Sequence, residues 1–433
     1  MTSETKKRIS AINSGIIPEG YKKTKVGIMP VEWKYVRLSK ITEMLIERAG
    51  NNKYETLSIS AGVGFVNQAN KFGKELSGKQ YEKYIVLHKG DFSYNKGNSK
   101  KYPQGCIYQL KDREVAAVPN VFESFYLTKG DNDYFEQLFM SGYLNSQLFA
   151  KINHGVRDDG LLNLKGEDFY SCYIPFPPLP EQQKIAEILS TQDKLIELYE
   201  RKIEQLKTLK KGYLQKMFPK KGCKYPELRF KGFTDPWEQR KFSEIADTRR
   251  GLTYKPSSIS ERGVRVLRSS NINEDTFVFG NDDVFVEESA VNIPYVNDGD
   301  ILITSANGST RLVGKHTIIR DLLQNPTIHG GFMIVASSKN PDFLNASMSS
   351  YWYSQFISLY VSGGNGSIGN LNKNDLDMQI VFVPNEEEQQ QIGSYFKNLD
   401  RLITLHQHKL DKEKQKKKAL MQLLLTGKVR VST

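Results

Sequence analysis

The sequence has little cysteine and no long apolar run, and each absence argues against a class of protein. Its 433 residues include three cysteines, Cys106, Cys172 and Cys223, which are odd in number and far apart. They support neither a disulfide framework nor a zinc site, which suits the reducing cytoplasm. No apolar stretch approaches the roughly 20 residues that span a bilayer. The polar start, Met1 to Arg8, does not resemble a secretory signal, so we expect a cytoplasmic protein.

Motifs of catalysis are missing as well. The sequence has no Walker-type phosphate loop, and the glycine-rich stretch Gly363–Gly369 does not lie between a strand and a helix, as a dinucleotide motif must. His406 and His408 are two residues apart on a predicted helix and point to different sides, so they do not form a metal pair. Neither a nuclease acid-x-Lys motif after Asp342 nor the Asn-Pro-Pro-aromatic run of amino-methyltransferases is present. The sequence predicts binding rather than chemistry.

Positive charge and aromatic residues are abundant. The chain has 61 Lys and Arg residues against 49 Asp and Glu residues, a net charge of +12. Such a balance favours a polyanionic partner, either nucleic acid or an anionic membrane surface, although charge alone is equally compatible with a merely basic soluble protein. The 22 Tyr and 22 Phe residues are enough to build more than one hydrophobic core.

An internal repeat is the most informative feature that is present. Residues 160–218 recur 207 positions later without a gap, so that Glu181–Gln183 returns as Glu388–Gln390. A fainter repeat begins each half, where Trp33 corresponds to Trp237. A solenoid repeat is about 20–50 residues long, so this period indicates a tandem domain duplication. The chain is predicted to be two copies of one module with similar ends and dissimilar middles.

Each repeated segment predicts a long helix with one apolar stripe. We expect these helices in residues 179–218 and 384–428. The predicted interface residues are Ile185, Leu189, Leu195, Ile196, Tyr199, Ile203, Leu206, Ile392, Leu399, Leu402, Ile403 and Leu410. The stripes could pair with each other in a coiled coil, or each could pack against its own domain. Pairing is favoured because five heptads are longer than a small domain is wide.

The remaining segments predict an arm and two mixed α/β domains. Residues 1–24 are expected to be a flexible arm, and the domains are expected in residues 25–178 and 219–383. Strand-like runs and turn signals alternate in the first domain, and the apolar spacing predicts one helix from Tyr134 to Lys151. Asn385 is the predicted N-cap of the second long helix.

Basic, hydroxyl and amide residues cluster in the dissimilar middles. Lys and Arg near phosphates would provide salt-sensitive affinity, and Arg, Asn and Ser or Thr can read base edges. In the first domain the DNA-binding candidates are Lys71, Lys74, Tyr94, Asn95, Lys96, Asn98, Lys100, Lys101 and Arg157. In the second they are Arg249, Arg250, Lys255, Arg268, Ser269, Ser270, Asn271, Asn307, Ser309, Thr310, Arg311 and Lys315. Each signal is weak by itself because surface loops are generally rich in these residues.

Several motifs resemble those of one family. They are the run Ile174–Ile185, its relaxed copy Val381–Ile392, and the terminal segment Leu423–Val429, together with the segments that lead to the two tryptophans. On these motifs, which frame nearly the whole chain, the sequence resembles the specificity subunit of a type I restriction–modification system. The second copy differs by Asn385 and Glu386 where prolines are expected.

The resemblance implies an architecture and a set of partners. It implies two target-recognition domains with a pseudo-two-fold relation, separated by two long helices that pair as an antiparallel coiled coil. Each domain would read one half of a bipartite site in double-stranded DNA. Two modification subunits would hold S-adenosylmethionine and methylate adenine. Restriction subunits would use ATP and Mg²⁺ for translocation and cleavage, and this chain itself would bind no cofactor and no metal.

Two other functions remain open at this point. One is a fused restriction–methyltransferase enzyme whose catalytic centre is not recognisable in the sequence. The other is a protein-interaction scaffold or membrane-surface protein whose basic charge is incidental. DNA binding that weakens with salt would argue against the scaffold, and turnover by the chain alone would favour the enzyme.

Overall fold

The computed structural model describes residues 2–73, 78–97, 101–152, 162–322, 325–361 and 369–431. The chain divides into two compact units. The first contains Met1–Tyr199 and Lys409–Thr433, and the second contains Glu200–His408. Each unit therefore takes one half of each long helix.

The first unit is a mixed α/β structure. Its strands are β1 (Tyr21–Thr24), β2 (Gly27–Pro30), β3 (Lys34–Arg37), β4 (Thr42–Met44), β5 (Leu57–Ser60), β6 (Gly64–Asn67), β7 (Ile85–His88), β8 (Phe92–Asn95), β9 (Cys106–Gln109), β10 (Val115–Val118), β11 (Glu123–Leu127) and β12 (Tyr173–Phe176). Its helices are α1 (Ser3–Asn13), α2 (Gln68–Phe72), α3 (Asn132–Met140), α4 (Asn145–Lys151), α5 (Gly166–Tyr170), the first half of α6 (Leu179–Lys216) and the second half of the last helix of the chain, α11 (Glu386–Leu424).

The second unit has the same class of fold. Its strands are β13 (Glu238–Lys241), β14 (Asp247–Arg250), β15 (Ile259–Ser260), β16 (Val264–Leu267), β17 (Ile272–Asn273), β18 (Thr276–Phe277), β19 (Val284–Val286), β20 (Ile301–Thr304), β21 (Ala306–Asn307), β22 (His316–Ile318), β23 (Thr327–His329), β24 (Met333–Ser337), β25 (Gly369–Asn370) and β26 (Ile380–Val383). Its helices are the second half of α6, α7 (Phe242–Ile245), α8 (Pro341–Met348), α9 (Tyr351–Tyr360), α10 (Lys373–Asp377) and the first half of α11 (Glu386–Leu424). The predicted mixed α/β class is confirmed.

A four-stranded antiparallel sheet is common to both units. Its strand order is β4-β11-β8-β9 in the first unit and β14-β24-β20-β22 in the second. In both units, the strand after the repeated tryptophan pairs with the strand before the long helix, as β3 with β12 and as β13 with β26. The duplication seen in the sequence is thus a duplication of strand topology.

The ends of the long helices complete the two hydrophobic cores. In the first unit, Ile185 and Leu189 of α6 and Leu424 of α11 pack in one cluster with Trp33 and Phe125. In the second unit, an equivalent cluster contains residues from the end of α6 and the start of α11. Its members there include Leu206, Leu214, Ile392, Phe396 and Leu399. Each stripe therefore packs against a domain at its end, which is one of the two alternatives left open by the sequence.

The helices also contact each other, and within each unit they run antiparallel. In the first unit, Lys417 Nζ lies 2.6 Å from Asp193 Oδ1, and Gln192 Nε2 donates to Glu413 Oε2 at 2.7 Å. In the second unit, Lys210 Nζ lies 2.7 Å from Asp400 Oδ1. The two Lys–Asp pairs are related by the 207-residue repeat, because Asp193 corresponds to Asp400 and Lys210 to Lys417. The repeat is therefore present in the helix contacts too.

The repeated Glu-Gln-Gln motif holds the start of each long helix. Glu181 accepts hydrogen bonds from Trp33 Nε1 at 2.9 Å and from Arg430 Nε at 2.7 Å. Glu388, which is fully buried, accepts two from Arg229, at 2.7 Å each. The next residue, Gln182 or Gln389, donates to the carbonyl of the proline that precedes the helix. The motif fixes where each helix leaves its domain.

Three sequence predictions need correction. Residues 1–24 are not a flexible arm, because they contain α1 and strand β1, which forms a hairpin with β2, and Tyr21 donates to the Gly427 carbonyl at 3.0 Å. The helix predicted from Tyr134 to Lys151 is two helices, since Gly142 has a φ of +75° between them. Leu402 is 43% exposed and does not lie in a buried interface.

The predicted N-cap is confirmed, as Asn385 Oδ1 accepts from Glu388 N at 2.9 Å. Over the described ranges, no helix has the length and apolar character needed to cross a membrane.

A buried histidine is expected to make the second unit sensitive to acid. The Nε2 of His329 donates to the Arg249 carbonyl at 3.1 Å, and Nδ1 has no hydrogen-bond partner among the described residues. Burial lowers the pKa of His329 to about 4. The pKa of His329 in the folded protein lies below the value of about 6.5 in the unfolded chain. The neutral histidine therefore stabilises the fold fully above about pH 6.5, and this stabilisation is lost as the pH falls toward 4. The loss corresponds to about 3 kcal/mol.

We therefore expect stability to decrease between about pH 6.5 and pH 4, and His329→Gln to flatten that dependence. Hydrogen exchange of peptides that cover β23 follows the second unit alone. His88→Gln is the matched control, because His88 lies in the first unit with a side chain that is 58% exposed. An unchanged pH dependence in His329→Gln would refute the assignment.

Candidate nucleic-acid interface

A cleft lies beside the end of the shared sheet in the first unit. It has a volume of about 1020 Å³, and its lining includes Lys96, Glu123, Leu164, Lys165 and Tyr170. Lys96 Nζ lies 3.0 Å from Glu123 Oε1, and the two side chains are only 16% and 17% exposed. The Lys96 carbonyl accepts a hydrogen bond from Leu162 N at 2.8 Å, which fixes the segment before the repeated motif against the strand end. The cleft thus presents a fixed cation and a fixed anion side by side.

The second unit has a cleft of about 430 Å³. Its lining includes Arg250, Ser305, Phe332, Leu371 and Asn372. Arg250 Nη2 donates to Asn372 Oδ1 at 3.3 Å, and Leu371 N donates to the Ser305 carbonyl at 2.7 Å. Phe332 is 66% exposed, although its own carbonyl accepts from Ser305 N at 2.9 Å and is therefore held in place. This cleft presents a guanidinium, an amide and an exposed aromatic ring.

The first-unit candidates are only partly brought together. Lys71 Nζ and Asn95 Nδ2 both donate to the Ile59 carbonyl, at 3.1 and 3.4 Å, and Lys96 follows in the cleft. The Nζ of Lys101 lies 5.6 Å from the centre of the Tyr102 ring. Four candidates lie outside the described residues, namely Lys74, Asn98, Lys100 and Arg157.

One first-unit candidate needs correction. Tyr94 is fully buried on β8, its ring stacks on Phe169 at 4.8 Å, and its hydroxyl donates to the Gln104 carbonyl at 2.8 Å. A side chain without accessible surface cannot reach DNA, so we assign Tyr94 to the hydrophobic core. The cause of the error is that β8 is buried on both faces, whereas a surface strand would expose alternate residues.

The second-unit candidates form three groups. Arg250 lies in the cleft, whereas Arg249 forms an ion pair with the buried Asp300 at 2.9 Å. A polar group surrounds Ser269, which accepts from Asn307 Nδ2 at 3.1 Å, and nearby Arg268 contacts Asp282 at 3.0 Å. The third group is exposed or half-buried, and it contains Lys255, Ser270, Ser309, Thr310, Arg311 and Lys315.

Asn271 is the second correction. It is fully buried and donates to the Val278 carbonyl at 3.0 Å and to Asp283 Oδ1 at 2.9 Å. Its own Oδ1 accepts from Arg268 N at 2.8 Å. All of these bonds stabilise the turn before β17, so the residue shapes the loop and does not present an amide to solvent.

Sequence reasoning missed most of the residues that line the two clefts, and five of them bear on what the clefts can bind. They are Glu123, Lys165, Phe332, Asn370 and Asn372. A usable signal existed for Asn370, because it belongs to the repeated Asn-Leu pair. Phe332 also carried a signal, since a large apolar residue directly after Gly330 and Gly331 is unusual in a turn. Within the described residues, no three His, Cys, Asp or Glu side chains are grouped closely enough to hold a metal ion.

The family follows from comparison with known proteins. Residues 30–208 and 234–414 each match the family model described as the type I restriction modification DNA specificity domain. The chain belongs to this family. The two matched segments correspond to the two halves of the internal duplication.

Known relatives agree with this assignment. The chain is 26% identical over 450 residues to the putative type I restriction enzyme MjaX specificity subunit of Methanocaldococcus jannaschii, covering 96% of this chain and 98% of that protein. It is 29% identical over 292 residues to the MjaVIII specificity subunit of the same organism, covering 64% of this chain and 66% of that one. The crystal structure of a type I restriction-modification S subunit from M. genitalium has the same fold, with a TM-score of 0.57 and 18% identity, covering 91% of this chain and 96% of that one.

Proposed function

We propose that this chain is the non-catalytic, sequence-recognising subunit of a type I restriction–modification complex. Each unit would read one half of a bipartite DNA site. The observation that carries the proposal is that the two units share sheet order and helix-start contacts but present different side chains in their clefts. Two units with the same fold but different cleft side chains would be able to recognise two different half-sites.

The charge of the chain supports double-stranded DNA as the ligand. A net charge of +12 favours release of counterions from phosphates, and Lys and Arg side chains on exposed turns would supply that affinity. Base recognition would come from side chains that are fixed before binding, because loss of rotamer freedom then costs less. Lys96 and Arg250 are held in this way by Glu123 and Asn372.

The long helices would have two roles in the complex. We propose that they set the spacer between the half-sites and that modification subunits, two per complex, dock on them and on the domains. Restriction subunits would then join. S-adenosylmethionine, ATP and Mg²⁺ would be bound by those partners, and this chain would contribute no catalytic group.

Exchange of one domain tests the proposal. Residues 38–172 lie between β3 and β12, so replacing them by the equivalent segment of a relative leaves the Trp33–Glu181 contact in place. We expect one half of the methylated sequence to change and the other half to remain. The matched exchange of residues 242–379, between β13 and β26, should change only the other half.

The measurement is sequencing of methylated adenines in the source strain after replacement of the chromosomal gene. Both halves changing after a single exchange would contradict the assignment of one half-site to each unit. A motif that does not depend on this gene would contradict the proposed function itself.

A further inference from the structure

The duplicated sheet allows the two units to be compared residue by residue. Phe92 on β8 pairs with Phe125 on β11, and Ile301 on β20 pairs with Ala336 on β24. Counting four residues forward along β8 and β20 makes Lys96 equivalent to Ser305. Counting two residues back along β11 and β24 makes Glu123 equivalent to Ile334.

The gapless repeat supplies two more equivalences. A shift of 207 residues relates Leu164 to Leu371 and Lys165 to Asn372. All four first-unit residues line the larger cleft, and all four second-unit partners line the smaller one. The two clefts therefore occupy equivalent positions in the two copies of the module.

The buried leucine and the nearby backbone of the cleft are similar in both units. Leu164 and Leu371 are both buried. The Lys96 carbonyl accepts from Leu162 N at 2.8 Å, two residues before the motif leucine Leu164, and the Ser305 carbonyl accepts from the motif leucine Leu371 itself at 2.7 Å. The sheet end is thus joined to the segment around the motif by a backbone hydrogen bond in each unit, although the donor differs by two positions of the repeat.

The side chains that line the two clefts differ in chemistry. The first unit has the Lys96–Glu123 ion pair, whereas the second has a hydroxyl and an aliphatic side chain at those positions. A half-buried ion pair loses hydration, and replacing such a pair by apolar residues is often neutral or stabilising. Because the second unit folds with Ser305 and Ile334 in these places, the fold does not require the ion pair. Its presence calls for a functional explanation.

We propose that the paired clefts contact the DNA bases and that their unlike side chains distinguish the two half-sites. Lys96 and Glu123 do so in the first unit, and Arg250, Asn372 and Phe332 do so in the second. Lys and Arg donate to guanine, Glu accepts from the cytosine amino group, and Asn pairs with adenine. Phe332 contacts a thymine methyl group or wedges into a base step. This inference rests on the proposed function.

The test in the first unit removes the charges and keeps the shape. Lys96→Met with Glu123→Gln is introduced into the chromosomal gene, and methylated adenines are sequenced. We expect a base in one half-site to become degenerate, with discrimination falling about tenfold or more, while the other half is unchanged. The matched control is Lys89→Met with Glu114→Gln, an ion pair of 2.7 Å whose side chains are 55% and 81% exposed.

The test in the second unit uses exposed side chains whose loss costs the fold little. Phe332→Ala and Arg250→Met should alter only the other half-site. Leu359→Ala, which removes a side chain that is 75% exposed in the same unit outside the cleft, should leave the motif intact.

The outcomes separate the inference from the proposed function. An unchanged motif in both cleft variants would overturn the clefts as reading sites, while a gene-dependent bipartite motif in the wild type would still uphold recognition by this chain. Complete loss of methylation counts for the inference when the purified variant keeps the wild-type melting temperature. It counts against the inference when that temperature falls, because the residues are then structural.

Discussion

Glu388→Ala is expected to destabilise the second unit by about 3–5 kcal/mol, the usual cost of removing one partner from a buried ion pair. The Glu388 side chain has no exposed surface and accepts two hydrogen bonds of 2.7 Å from Arg229, whose own side chain is only 13% exposed. The substitution leaves a guanidinium without its carboxylate in a place that water reaches poorly. It also removes an acidic group from the first turn of α11, where the helix dipole favours negative charge.

The first unit offers an independent copy of this experiment. Glu181→Ala removes the acceptor of Trp33 Nε1 and of the Arg430 guanidinium, but Arg430 keeps its ion pair with Glu32 at 2.7 Å and is 32% exposed, so a smaller loss is expected there. The corresponding indole nitrogen of Trp237 has no hydrogen-bond partner within the described residues. The two motifs are therefore equivalent in position, but the first carries one more bond.

Hydrogen exchange resolved by peptide measures the two units separately. Glu187→Ala is the matched control, since Glu187 lies in the same helix as Glu181, is 64% exposed and pairs with Lys184 at 2.7 Å. Exposed pairs of this kind contribute about 1 kcal/mol or less. Equal effects of Glu388→Ala and Glu187→Ala would show that the buried pair does not anchor the helix.

The sequence could reveal the duplication but not the partner of each repeated glutamate. The 207-residue repeat, the two helices and the N-cap at Asn385 follow from local patterns, and the structure confirms them. The sequence places Glu181 in the repeated motif but does not indicate its partner. Its partner Arg430 is 249 residues away, and no local pattern encodes a pairing of that range. Long-range contacts of this kind can be identified only from the folded structure.

The cleft residues were harder to predict for a related reason. Loop composition indicates which residues are polar but does not indicate which way their side chains point, so it predicts Tyr94 and Asn271 as DNA contacts although both side chains are buried. Composition does not single out Phe332 or Glu123, because neither residue type is typical of contacts with phosphates. The register of β11 and β24 in the two sheets is what relates the positions of the two clefts to each other.

A matched insertion in both long helices is expected to lengthen the spacer of the recognised site. Seven residues, placed after Tyr199 in α6 and after His406 in α11, enter at positions that the repeat relates to each other. They add about 10 Å of helix, which corresponds to about three base pairs. Both helices must change because Lys210–Asp400 and Asp193–Lys417 fix their relative register within the units. An insertion in α6 alone would leave residues without partners and should abolish methylation.

The rotation of DNA gives this experiment a second readout. Seven residues make two turns of a coiled coil and keep the same face of the helix, whereas three base pairs rotate the duplex by about 100°. We therefore expect the seven-residue pair to methylate slowly. A 21-residue pair adds about 32 Å, close to the 34–36 Å of one DNA turn, and should recover activity with a much longer spacer. If the bases of the half-sites stay the same and only their separation changes, the result would support the proposal that the helices set the spacer length. Normal methylation at the original spacing in the seven-residue pair would refute that role.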